Sequence, residues 1–116
     1  MKYWFKTLLP LLFPLMVGAQ QNNTSPFKVI AFFIDKTEDA HLSFVHEANK
    51  WLPVFGRQNN FTYDSTTNWN NLNDTFLSHY QVVLFLDARP EVPAQRAAFK
   101  KYMDNGGGWM GFHFAG

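Results

Sequence analysis

Runs of nearly unbroken apolar residues, Phe27 to Ile34, Gln81 to Leu86 with its core Val82-Val-Leu-Phe-Leu86, and Trp109 to Phe114, alternate with segments of helical spacing. This alternation constrains the fold more than any other feature of the chain. A strand apolar on both faces belongs in a parallel sheet covered by helices on either side. From His41, the residues Phe44, Val45, Ala48, Trp51, Leu52 and Phe55 recur at helical intervals, with His46, Glu47 and Lys50 on the wet side. Pro53 is expected either to kink that helix or to end it near Leu52. A short strand is expected at Phe61 to Tyr63, then a Ser, Thr and Asn-rich surface loop through Asn71, and then a short helix capped by Asp74 and ending at Tyr80. Pro90 to Asp104 reads as the next helix, with Val92, Arg96, Phe99 and Met103 on one side and Gly106 to Gly108 terminating it. The triple glycine follows a helix and precedes a strand, the reverse of a phosphate loop, so it is a cap. Strand, helix, strand, helix, strand, helix, strand predicts a right-handed parallel α/β sheet of flavodoxin-like type with helices on both faces. The sheet is expected to be truncated after its fourth strand, with an exposed edge.

The chain is 116 residues long, with ten Lys and Arg against nine Asp and Glu. That near-neutral balance, with the basic residues scattered, gives no footprint for nucleic acid. Residues 1–19 read as a signal peptide: Lys2 and Lys6 form its positive region, Leu8 to Val17 its apolar core, and Val17-Gly18-Ala19 its cleavage site. The alternative, a membrane anchor, is opposed by an apolar run short of the ~20 residues a bilayer requires and by Pro10 and Pro14. Residues 20–26 form a polar linker, and residues 27–116 the folded domain. Absence of cysteine removes disulfides, thiolate ligands and a cysteine nucleophile, and fits a bacterial periplasmic or secreted protein with no membrane attachment after cleavage. Asn22, Asn60 and Asn73 head Asn-x-Thr triplets, which chance in an Asn-rich chain accounts for.

Chemistry is expected at the carboxyl ends of the strands, where ligands bind in open parallel sheets. His113 stands in the frame Gly111-Phe-His-Phe-Ala-Gly116, which resembles a nucleophile elbow with histidine in the nucleophile's place. Imidazole there serves as acid, base or metal ligand; a hydrogen-bonded histidine at a strand end is the structural alternative. His41 lies on the inward stripe of the first helix at its amino end, so it is expected to converge with His113 on one crevice. Asp35 and Asp87 follow neighbouring strands and complete an oxygen and nitrogen set for a divalent metal or for proton transfer. Capping or turn formation is the commoner role for an aspartate after a strand and stands against this one for each of the two. Ser43 is a cap or ligand contact, whereas His46 and His79 face solvent and receive no role, and Trp109 and Phe112 are expected in the core.

Three stretches resemble the ThuA-like (trehalose utilisation) family of the class I glutamine amidotransferase-like superfamily: Asp39-Ala-His41-Leu-Ser43, Tyr80-Gln-Val-Val-Leu-Phe-Leu86, and Phe99 through Gly-Gly-Gly-Trp-Met-Gly-Phe-His113. The resemblance implies a histidine where amidotransferases carry cysteine, hence lost glutaminase chemistry. It also implies a role in carbohydrate utilisation, a small-molecule sugar ligand, and His41, Ser43 and His113 as pocket residues. Family domains usually continue for another hundred residues or so, and the resemblance therefore implies an amino-terminal portion. Two functions compete: an enzyme acting on a sugar derivative, and a catalytically silent binding or interaction module on the same scaffold.

Overall fold

A computed structural model describes residues 26–36 and 39–112. Four strands, β1 (Phe27–Phe32), β2 (Phe61–Thr66), β3 (Val82–Phe85) and β4 (Gly108–Gly111), form one parallel sheet in the order β2-β1-β3-β4. The helices are α1 (Asp39–Gln58), the single-turn α2 (Asp74–Leu77) and α3 (Pro93–Asp104), with a 3-10 turn at Trp69–Asn71. This is the flavodoxin-like order, and its topological switch point falls between β1 and β3.

Alternation along the strands makes two cores. Val29, Ala31, Leu84 and Leu86 face α1, whose Val45 is fully buried and whose Ala48 and Leu52 pack beside it. Ile30, Phe32, Val83 and Phe85 face the opposite way, against Leu72 and Leu77 with Phe99 and Tyr102 of α3. Each fully buried large side chain here contributes about 1.5–3 kcal/mol. The second core is aromatic: Phe85 lies 4.9 Å from Phe99 and 5.3 Å from Trp69, ring centre to ring centre.

Several elements depart from their sequence expectation for identifiable reasons. α1 runs through Pro53 to Gln58 instead of ending near Leu52. Its last turns are held by Phe55 against Phe61 at 5.8 Å, and by Gly56, where a Cβ would lie 2.7 Å from the Phe61 carbonyl oxygen. β2 extends to Thr66 although Asp64, Ser65 and Thr66 are polar, because its backbone pairs with β1 residue for residue from Phe27↔Phe61 to Phe32↔Thr66. As an edge strand it tolerates polar side chains. Asn73, not Asp74, caps α2, its side-chain oxygen accepting the Phe76 N–H at 2.9 Å, and the helix ends at Leu77. α3 begins at Pro93, and of the expected inward set only Phe99 packs into the core. Val92 and Met103 are 49% and 37% exposed, because Tyr102 takes the inward position and turns the stripe by one residue. Gly106, with φ +90°, ends α3 in the left-handed conformation that a glycine adopts without strain. Trp109 keeps 39% of its surface exposed while packing edge-on against Phe85 and Phe99.

Candidate functional site

The carboxyl ends of β1 and β3 mark the switch point, where ligands bind in open sheets of this order. Beyond the strands proper, pairing continues: Leu86 N–H donates to the Phe32 oxygen at 3.1 Å, and Phe112 N–H to the Phe85 oxygen at 3.1 Å. β1 stops two residues earlier than its apolar run, and Asp87 is the cause. Its Oδ1 accepts the Ile34 N–H at 2.9 Å and its Oδ2 the Asp35 N–H at 3.2 Å, so a carboxylate replaces the next strand pairing. Asp87 is 3% exposed and is the only charged residue buried among the described ones. A carboxylate held by backbone donors makes charge-assisted bonds of roughly twice neutral strength. The arrangement uses Asp87 as a brace between the β1 and β3 ends, which is the turn-forming role open to it in the sequence.

Asp35, held by that brace, has φ +55°, a left-handed conformation that Asp tolerates better than most side chains. Its carboxylate meets His46 Nε2 at 3.1 Å. Both groups are about half exposed, so the pair contributes little to stability. His46 was left without a role by the sequence. Nothing in spacing could have joined residues 35 and 46, because the contact crosses from the end of β1 to the second turn of α1.

The wheel of α1 sorts the histidines. His41 lies one turn before the fully buried Val45, half-buried on the same inward stripe, as expected. Phe44 and His46 are one residue to either side of Val45 and therefore point to opposite flanks. On the Phe44 flank, its ring lies 5.0 Å from that of Phe112, centre to centre. The flank nearer His41 is thus in contact with the end of β4, while His46 draws Asp35 to the other side. Ser43 is exposed on α1. His113 lies outside the described residues, one position beyond Phe112, so its convergence with His41 is not part of the described geometry. Among the described residues, no three His, Asp or Glu side chains are grouped as ligands for a metal ion.

Tyrosines flank the sheet elsewhere. Burial pushes the Tyr63 and Tyr102 phenols up, and Tyr80 is pushed up to about 12 by burial and then by its hydrogen bond to, and the charge of, Asp64. All three lie away from the switch point and belong to packing.

A parallel α/β domain of flavodoxin-like order, with its crevice between β1 and β3, defines the class. The ThuA family model, described as trehalose utilisation, matches residues 29–116, and the chain belongs to that family. A solved structure of a protein named ThuA-like, from Bacteroides uniformis ATCC 8492, superposes with a TM-score of 0.72 at 34% identity, over 79% of this chain. The chain spans 38% of the length of that protein. No curated protein matches the sequence.

Proposed function

We propose that this is an exported protein of carbohydrate utilisation, binding trehalose or a related sugar derivative in the switch-point crevice, with His41 and His113 as its acid and base groups. The observation that carries the reading is the contact between Phe44 and Phe112, which brings the His41 flank of α1 against the strand that leads into His113. Family membership supports the sugar class, and the cysteine-free composition agrees with histidine standing where an amidotransferase would carry its nucleophile. Export rests on the amino-terminal pattern of residues 1–19. Calorimetry of the secreted protein against a panel of oligosaccharides, sugar acids and divalent metals is the test, followed by turnover assays on whichever ligand binds. His113→Ala is expected to lower turnover by about 10²-fold or more, the usual worth of a general acid or base, with little change in melting temperature. A His113→Ala variant that keeps wild-type turnover would refute the assignment.

The second reading is a catalytically silent binding module. It is favoured by the engagement of both candidate carboxylates: Asp87 with two backbone N–H groups and Asp35 with His46. Saturable binding with no conversion of the bound sugar is its signature.

A further inference from the structure

At the amino edge of the sheet, opposite the switch point, the second half of α3 and the turn after α2 leave a groove of about 470 Å³ between them. Small-ligand sites occupy ~300–1,000 Å³. Asp74 and Ser78 line it from the α2 side, Lys101 and Asn105 from the α3 side, and Gly106 and Gly107 from the turn that follows α3. Across the mouth, the Lys101 ammonium meets the Asp74 carboxylate at 2.6 Å, both side chains more than half exposed. The two charges cancel, so the groove presents no net field to draw an ion. It presents instead an acceptor beside a donor, and Asn105 and Gln81, whose amides both donate and accept, also line it, the Gln81 oxygen accepting the Lys28 N–H at 2.7 Å. A hydroxyl group donates and accepts through one atom, and so fits between such partners. An exposed ion pair contributes little to stability, and a ligand hydroxyl can therefore enter it at small cost. The Tyr102 hydroxyl is already spent on the Tyr80 carbonyl oxygen at 3.1 Å and its ring packs against the core and Gly107, so it lines the groove without adding a donor.

We propose that the α2–α3 groove is a second binding site, distinct from the switch-point crevice, for a neutral polyhydroxylated molecule of mono- to disaccharide size. The ligand class follows from the balanced donors and acceptors of the groove and does not depend on the function assigned to the crevice.

The test is an amide NMR titration of the full chain with α,α-trehalose, repeated with the anionic polyol gluconate. Saturable shifts are expected at the backbone amides of Gly106 and Gly107 and at the side-chain amide of Asn105, with gluconate binding no more tightly than trehalose. Lys101→Met, on an exposed helix position that does not threaten folding, is expected to raise the midpoint about tenfold, the loss of one charged hydrogen bond. Asn105→Ala provides a second variant with the same expectation. Absence of saturable shifts at these amides, shifts unaltered in both variants, or tighter binding of gluconate would each overturn the proposal. Shifts confined to residues 33–36 and 86–88 would overturn it too, while supporting the crevice; groove shifts without crevice shifts would do the reverse.

Discussion

At the scale of single residues, Asp87 carries more of the site's architecture than any histidine. Its two oxygens end β1, fix the left-handed turn at Asp35 and tie that turn to the end of β3. Asp87→Ala leaves two backbone donors unmatched, and is expected to cost on the order of 2–4 kcal/mol, read as a lower denaturant midpoint. His46→Ala removes only a half-exposed contact, and the same measurement should show a change below about 1 kcal/mol. Equal losses in the two variants would contradict this division of roles. Gly56 is a second structural fulcrum: Gly56→Ala places a methyl group against the Phe61 carbonyl oxygen and is expected to destabilise by about 1–3 kcal/mol. In the sequence Asp87 is visible only as an aspartate after a buried strand, where a turn or cap is the commoner role and a ligand the competing one. Its burial, which decides between them, comes from the register of β1 with β3.

At the scale of elements, apolar patterning located every strand and long helix among the described residues, and it failed wherever backbone pairing or a larger neighbour outweighed it. The polar end of β2 reads as loop, yet pairing with β1 extends it to Thr66. The α3 stripe reads through Met103, yet Tyr102 supplies the larger apolar surface and takes the inward place. The contacts of β2 and α2 also make stability depend on alkaline pH. Tyr80, in the turn after α2, hydrogen-bonds Asp64 of β2 at 2.8 Å, and burial with that partner raises its phenol to about 12. An unfolded tyrosine ionises near ~10. Between those values the folded chain retains a proton that the unfolded chain has lost, so the stabilisation is complete below pH ~10 and is lost as pH rises through about 12. Tyr63 and Tyr102 shift in the same direction. Denaturant midpoints are expected to fall between pH ~9 and ~11.5, less steeply in Asp64→Asn, where the charge opposing ionisation is gone. A midpoint that rises over that interval would contradict the assignment.

At the scale of the whole molecule, the strand order β2-β1-β3-β4 is what converts a string of apolar runs into a sheet with a topological switch point. It puts the crossover between β1 and β3, so the loops after those two strands and the first turn of α1 face one crevice. The class of fold and the position of His41 on the inward stripe were legible in the sequence, because both follow from periodicity. The pairing of His46 with Asp35 was not, since it is made by loop geometry rather than spacing. The central claim is that the crevice binds the sugar and that His113, beyond Phe112, acts in it. Its most direct test is hydrogen-exchange mass spectrometry of the protein with and without the oligosaccharide that calorimetry selects, in wild type and in His113→Ala. The account predicts slowed exchange at residues 33–36, 86–89 and 110–112 on binding, weakened in the variant. Slowed exchange elsewhere with these three segments unchanged would contradict it.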